Sequence, residues 1–413
     1  MDEDGADILV RASDHSFGLA VSAGIAIAAG EGAAAGQAGF AVNHQGKDAY
    51  AKVENTTVKA DTLTIEANTT QLAQAVSAGV AAGIGKGGLG GSASVVVTKQ
   101  MGDTRAWLHG GDITVNSLAV NAERRQDINV ATGSLGVGTS VGVGIGLAVN
   151  LVGGDTQAII GRDVEDENDT TETTVKADSV IVDASRLESF NSYTFGGGLS
   201  AGGGGAAMIN VSEATGETRA GIYGTLSGNR TTNTTNDDYF TTNIRAKDGT
   251  DFAGNVDVSA QEVLKANHVA FGVGAGTVGI GAVANVLLGR SQVYSEVVGA
   301  DVKATDLNVE ADSLREANLL SISGAAGKYS AAISIGVALM GQGDTTTDDG
   351  TDAEDEFDPS RNEANTVLQT DYAGSNPHLS TEDIAVLEAS SGRTIDRSGS
   401  SSASTVASEE AGS

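Results

Sequence analysis

Leu63-Thr64-Ile65-Glu66-Ala67 decides how this chain reads. Apolar and polar residues alternate and the run closes on alanine. The same pattern stands at Ile8-Val10-Ala12, Leu118-Val120-Ala122, Val180-Val182-Ala184, Val256-Val258-Ala260 and Leu307-Val309-Ala311. From Ala12 through Ala67, Ala122, Ala184 and Ala260 to Ala311, the steps are 55, 55, 62, 76 and 51 residues. Alternation with period two places successive side chains on opposite faces of a strand. Recurrence at this period indicates a solenoid or array, in which each unit buries its apolar face against its neighbours. Such a chain is a scaffold or a long binding surface before it is an enzyme.

Three further parts recur around that strand. A Val-x-Ala-Asp element introduces it at Val58-Lys59-Ala60-Asp61 and Val175-Lys176-Ala177-Asp178, with Val302-Lys303-Ala304-Thr305 a near copy. A Gly/Ala/Val/Ser tract follows it, as at Val76 to Gly83, Val137 to Gly146 and Phe271 to Gly276. Then comes a β-branched strand ending in asparagine at Asn43, Asn150, Asn210 and Asn285, with Val97-Thr98 in the second unit. The last part runs from polar to apolar, as at Asp103-Thr104-Arg105-Ala106-Trp107, Asp155-Thr156-Gln157-Ala158-Ile159 and Glu217-Thr218-Arg219-Ala220-Gly221-Ile222. Asn43 to Ala51, Thr98 to Ala106 and Asn150 to Ala158 are all eight residues apart, so two landmarks keep register. The longer steps come from insertions near Val164–Thr170 and Tyr223–Ala253, at one phase of the repeat, which places them on one edge of the solenoid.

Composition sets the character of the interior and the surface. The 413 residues include 57 Gly, 2 Pro, no Cys and only 4% aromatics. Glycine is about twice its usual 7%, which fits a thin interior of small side chains. The net charge of −30 argues against nucleic-acid or anionic-membrane partners, which need basic patches. Acidic loops allow weak Ca²⁺ binding, although Asp and Glu on solvated faces are the commoner case. Absence of cysteine suits the cytosol and exported chains alike. Met1-Asp2-Glu3-Asp4-Gly5 contains no basic or apolar leader segment, and the first strand begins almost at once. The chain therefore reads as a fragment of a longer protein, or as one whose start lies upstream.

These patterns predict an all-β parallel β-solenoid of five to six repeats of about 55 residues over 6–340. Residues 341–413 form an acidic Ser/Asp-rich low-complexity tail or long insertion, expected to be disordered, with one short helix at Thr381–Leu387. Four strands per unit form two facing sheets, their glycines and alanines turned inward. One wide coil per unit, with strands of some 20 residues spanning about 65–70 Å, is favoured over three coils of about 18 residues. Asn43, Asn150, Asn210 and Asn285 are candidates for a stacked amide ladder.

No motif carries recognisable chemistry. Gly83-Ile84-Gly85-Lys86-Gly87-Gly88 matches a dinucleotide fingerprint in spacing but has no helix after it. A P-loop fails because Gly87 follows Lys86. Gly138-Thr139-Ser140-Val141-Gly142 and Gly198-Leu199-Ser200-Ala201-Gly202 match a nucleophile elbow but lie inside glycine tracts without a helical pattern. Asn129–Gly154 is uncharged and long enough to span a bilayer, yet glycine at every second position suits a strand, so no membrane insertion of this segment is expected. His15, His44, His109, His268 and His378 form no metal-ligand spacing. Asp103, Asp155 and Glu217 share a phase in consecutive units and could line an acidic stripe, against the commoner reading of solvated turn residues. Arg105 and Arg219 share a phase but lie two units apart. No catalytic, cofactor-binding or metal-ligating residue is assigned, and no cofactor.

The run Val-Lys-Ala-Asp-x-Leu/Val-x-Ile/Val-x-Ala, the glycine tract, Ala-Val-Asn and Asp-Thr-x-Ala together resemble the repeat region of large bacterial surface adhesins. The closest group is the leukotoxin-like filamentous adhesins, similar to filamentous haemagglutinin passengers. The resemblance covers about residues 6–340 and implies type V secretion across the outer membrane, a cell-surface location, a β-solenoid stalk and a role in cell adhesion and virulence. It implies a partner protein or glycan on a host or neighbouring cell, bound through other parts of the full-length chain. The expected function is a non-catalytic stalk segment, the alternative a carbohydrate-active β-helix enzyme, lyase or hydrolase.

Overall fold

The structure is a computed structural model that describes residues 5–163, 166, 169–225, 240–245 and 253–341. The chain divides into two units, Met1–Asp344 and Thr345–Ser413. All described residues belong to the first; the low-complexity segment and the expected helix at Thr381–Leu387 lie outside them.

The described residues are strands and turns wound into six coils, with every strand pairing parallel to its equivalent in the next coil. Sheet A holds the long strands β1 (Asp7–Ala29), β4 (Thr62–Ile84), β7 (Ser117–Gly138), β11 (Ser179–Ser200), β15 (Ala253–Ala275) and β19 (Ala304–Ala326). Sheet B holds β2 (Ala34–Gly46), β5 (Leu89–Met101), β8 (Val141–Val152), β12 (Gly203–Ala214), β16 (Val278–Gly289) and β20 (Tyr329–Met340). Sheet C begins as single strands, β3 (Ala49–Lys59) and β6 (Thr104–Thr114), and then splits. Its later members are β9 (Thr156–Gly161) with β10 (Thr173–Lys176), β13 (Glu217–Tyr223) with β14 (Thr242–Arg245), and β17 (Gln292–Val298) with β18 (Ala300–Val302).

Each repeat is therefore one wide coil. Ala12, Ala67, Ala122, Ala184, Ala260 and Ala311 pair directly from coil to coil. The expected division into parts needs one correction. The alanine-terminated strand and the glycine tract are a single strand of 22 or 23 residues, about 75 Å long at ~3.3 Å per residue. Nothing in their sequence breaks the alternation. The opposing side of the coil is shared by sheets B and C, so there are three sheets rather than two.

The split in sheet C accounts for much of the unequal steps. Asn55, with φ 46°, faces Gly110, with φ 72°, and Gly161 continues the kink at φ 98°. The first insertion leaves and returns there; the second does so in part, and the rest of its added length stands between Arg245 and Ala253. Gly161 pairs with Tyr223 before them, and Thr173 pairs with Thr242 after them.

The interior changes along the coil. Where sheet A faces sheet C, aliphatic side chains fill it, among them Leu63, Ile65, Val120 and Val182 against Leu108, Ile113, Ile160 and Ile222. At ~1.5–3 kcal/mol for each buried Leu, Ile or Val, this half is a conventional apolar core. Where sheet A faces sheet B in the middle coils, the spacing is set by glycine. A Cβ on Gly136 would stand 2.0 Å from the Val143 carbonyl oxygen, and one on Gly198 2.0 Å from that of Gly205. Backbone lies against backbone, as the expectation of inward-facing glycine requires. The larger side chains of these tracts consequently point out.

Between the two halves lies a polar seam. The chain corner from sheet B to sheet C leaves carbonyls facing inward, and long side chains from sheet A reach them. Gln71 donates to Met101 O at 3.2 Å, Arg124 to Gly153 O, Arg186 to Thr215 O, and Arg315 to Ser291 O at 2.7 Å. Arg186 also pairs with Glu188, both fully buried, and Arg315 with Glu262 at 3.2 Å. Burial and the nearby Arg186 push Arg124 down to about 9, while burial pushes Glu188 up against the pull of Arg186 and Arg124.

The four asparagines of the sheet B strands do not form the expected ladder. They are buried and face inward, and Asn150 pairs with Ser212 while Asn210 pairs with Ala148. Asn285 turns to Leu320 O and Ser321 Oγ, each at 2.9 Å. Relative to the strand register, Asn210 and Asn285 sit two residues earlier than Asn150. A true amide ladder runs on the outer face of sheet A instead, where Asn191 donates to Asn129 (3.1 Å), Asn267 to Asn191 (3.2 Å) and Asn318 to Asn267 (3.0 Å).

Two stability outcomes follow from this interior. Gly136→Ala is expected to destabilise by ~1–3 kcal/mol in denaturant melts. Gly133→Ala, on the same strand but with nothing within 4 Å of its added Cβ, is expected to be neutral or slightly stabilising. His268 is buried, and neither ring nitrogen has a hydrogen-bond partner among the described residues. Burial lowers its pKa from 6.5 to about 4. The unfolded chain then takes up a proton that the folded chain resists, so stability is full above pH 6.5 and falls towards pH 4. Melts over that window should show wild type losing about 3 kcal/mol more than His268→Leu.

Candidate functional site

The outer face of sheet C brings charged and aromatic side chains into contact. Its columns follow from axial register. Tyr50, Arg105, Gln157, Arg219 and Tyr294 stand in successive coils, beside Lys52, Trp107, Ile159, Gly221 and Glu296. Gln157 separates Arg105 from Arg219, so the two arginines lie two coils apart, as their spacing implies.

The acidic stripe exists, and its carboxylates link coils. Asp103 N–H donates to Asp48 Oδ1 at 2.8 Å, Asp155 N–H to Asp103 Oδ1 at 2.9 Å, and Glu217 N–H to Asp155 Oδ1 at 2.9 Å. They are neither plain solvated turn residues nor an open row of acids. Each of the first three corners from sheet B to sheet C is tied to the next by an acidic side chain. Desolvation raises the Asp155 pKa, with the charges of Asp103 and Glu217 adding to it and the Glu217 N–H opposing.

Two cationic centres flank the stripe. Arg219 pairs with Glu217 and with Glu296 (2.8 Å), bonds Tyr223 Oη at 3.2 Å, and lies over the Tyr294 ring at 4.5 Å. Burial opposes its charge, but Glu217 and Tyr223 outweigh burial and hold the guanidinium above its ordinary value. Burial also raises Tyr223 and Tyr294. The second centre surrounds Trp107. Lys52 Nζ and the Arg105 guanidinium each stand 4.2 Å from its ring centre, His109 stacks at 4.6 Å, and its Nε1 donates to Gly161 O at 2.8 Å. His109 bridges Glu54 Oε1 (3.2 Å) and Asp169 Oδ2 (2.7 Å). Burial acts to raise Asp169, but its bonds to Thr171 and His109 prevail and hold it at about 2. Arg105 meets Asp163 at 3.1 Å. The first insertion thus folds its Asp163 and Asp169 back onto the face. Asp169 O in turn accepts from Thr225 of the second insertion at 3.0 Å.

Each charged group named on this face has a partner within it, and the arrangement is a bonded mosaic. From sequence alone, Trp107, His109, Glu54 and Asp169 had no role on a common site. The signal was available in the register: Lys52 precedes Trp107, and Glu54 precedes His109, by the 55-residue step.

The remaining sequence candidates do not come together. Gly83–Gly88 forms the turn between β4 and β5, with Gly85 at φ 125° and Gly87 at φ 77°, and a strand follows. Ser140 lies in the turn between β7 and β8, and Ser200 ends β11. Asn129–Gly154 supplies all of β8 and the end of β7, and no helix among the described residues is long and apolar enough to cross a membrane. His15 is exposed, His268 is internal, and His378 lies outside the described residues. Among the described residues no group of three or more His, Asp or Glu is arranged to hold a metal ion.

Comparisons with protein-family models, with curated proteins and with solved structures return no match.

Replacing Asp155 tests the stripe as a link. Asn keeps an oxygen for the Glu217 N–H without the disfavoured charge, so Asp155→Asn is expected to raise the thermal midpoint at pH 7. The gain should shrink as pH falls into the carboxylate range, where the wild-type carboxyl is itself protonated. Asp155→Leu, which removes the acceptor, should cost ~1 kcal/mol or more.

Proposed function

We propose that this chain is a non-catalytic structural repeat segment, the stalk of an exported bacterial surface adhesin, holding binding regions elsewhere in the full-length protein away from the cell. The observation that carries the reading is the use of the acidic column. In a carbohydrate-active β-helix enzyme, carboxylates on adjacent coils converge on substrate. Here Asp48, Asp103 and Asp155 each accept the backbone N–H of the acidic residue in the following coil, so they serve coil-to-coil continuity. The unbroken pairing of six long strands supports the same reading, since a spacer needs uniform axial repetition. Cell-surface location, type V export and a partner glycan or protein rest on the resemblance of the repeat motifs.

A whole-coil deletion tests the spacer. Removing residues 68–122 joins Ala67 to the residue after its axial equivalent Ala122. The shortened chain is expected to fold with the same strand signature and to lose one coil, ~4.8 Å of length. Incubation of the intact chain with acidic and neutral polysaccharides should leave them undegraded. Release of oligosaccharides that Asp155→Asn abolishes would establish the enzyme instead.

A further inference from the structure

The outer face of sheet B is apolar to a degree that water does not favour. On β8 its outward residues are Val141, Val143, Ile145, Leu147, Val149 and Leu151, while glycines 142, 144 and 146 point inward. Neighbouring strands continue the pattern, with Phe40 67%, Ile209 42%, Ile280 53% and Ile333 60% exposed. Charged side chains of this face, Lys99 and Glu213, stand only at its margin towards sheet C. Six strands at ~4.8 Å and 12 residues at ~3.3 Å make about 1,000 Å². The largest apolar patch on a typical monomer is about 300–600 Å².

We propose that this face is the interface of a two-fold dimer, in which sheet B of one copy packs on sheet B of a second, centred between β8 and β12. The area argues for a second copy. Two such faces together bury about 2,000 Å², the upper end of what a stable standard interface uses. Sheets pack face to face at ~10 Å with their strands about 30° apart, and a face of repeated strands meets itself without special shape. Electrostatics agree. The chain carries −30 overall, but the face is nearly uncharged, and the acidic stripe stands on sheet C, so contact desolvates almost no charge. A lipid surface fits less well. Its border holds scattered cations, Lys99 towards sheet C and Lys86 and Lys328 in the turns from sheet A, with Tyr329 beside Lys328. The single Trp, Trp107, lies on sheet C, and a chain of −30 without a polybasic cluster is repelled by an anionic bilayer.

The test is the mass of the full chain in solution by sedimentation across about 1–100 µM. Wild type is expected at twice 41.3 kDa. The outward pair Ile145→Lys and Ile209→Lys should weaken association by ~100-fold or more, with strand content unchanged by circular dichroism. Phe195→Lys, on the apolar outer face of sheet A, should leave the dimer intact. If the lysine pair prevents folding, Ala207→Cys replaces it. This chain has no cysteine, and a thiol at the centre of the face, with sheets ~10 Å apart and beyond disulfide reach, is expected to give a covalent dimer with a short bismaleimide cross-linker. A monomeric wild type at the highest concentration, a dimer that ignores the lysine pair, a cysteine that does not cross-link, or flotation with phosphatidylcholine vesicles would each overturn the proposal.

Discussion

Every long strand of this protein hands its backbone hydrogen bonds to the equivalent strand one coil away, and the rest of the structure follows from that constraint. Parallel pairing in register stacks like on like. A residue type that suits one coil must suit its neighbours, because they share one axial line. The alanines that close each leading strand satisfy it, and so do Asn129, Asn191, Asn267 and Asn318, which bond amide to amide on the outside of sheet A. Asp48, Asp103 and Asp155 satisfy it differently, by accepting an N–H from the coil that follows.

The coil is wide and flat, and its two halves solve the packing problem in opposite ways. Opposite sheet C, the inside holds Leu, Ile and Val and the outside holds charge. Opposite sheet B, glycine brings the backbones together and the aliphatic side chains are left outside. The seam between them is the B-to-C corner, where inward carbonyls cannot join a ladder. Buried arginines are a costly way to satisfy carbonyls, since an unpaired buried charge is strongly unfavourable. The cost is limited here by pairing Arg186 with Glu188 and Arg315 with Glu262. The same design reads as a spacer at sheet C and as a self-association surface at sheet B, and the two readings stand or fall separately.

Much of the fold was legible because a 55-residue period survives in short motifs. Ala12 through Ala311 gave coil size, register and strand direction. The inward turn of glycine followed from period-two alternation, since large residues on both faces would leave no room. What the motifs did not reveal was the partition of strands. Leu63–Ala67 and Val76–Gly83 look like separate elements because their composition differs, yet alternation continues unbroken between them. The asparagines of the sheet B strands misled for a related reason. Their similarity is local, and a two-residue offset in the fourth coil carries Asn210 away from Asn150. The seam of Arg124, Arg186 and Glu188 was hidden because charged residues in an alternating strand default to the outside. Only the corner carbonyls explain their inward place. On sheet C the stripe was visible as a phase, whereas its N–H acceptor role required the geometry of the corner.

Axial register over all six coils is the central claim, and one distance tests it. Ser13 and Asp312 are exposed, 299 positions apart in sequence and joined by five register steps through Asn68, Glu123, Ser185 and Gln261. Since the chain has no native cysteine, spin labels can be attached at Ser13→Cys and Asp312→Cys alone. Pulsed dipolar spectroscopy is expected to give one narrow distribution near 24 Å, five times the ~4.8 Å strand spacing, widened only by the label arms. A broad distribution, or a separation beyond about twice that length, would contradict the stacked-coil account.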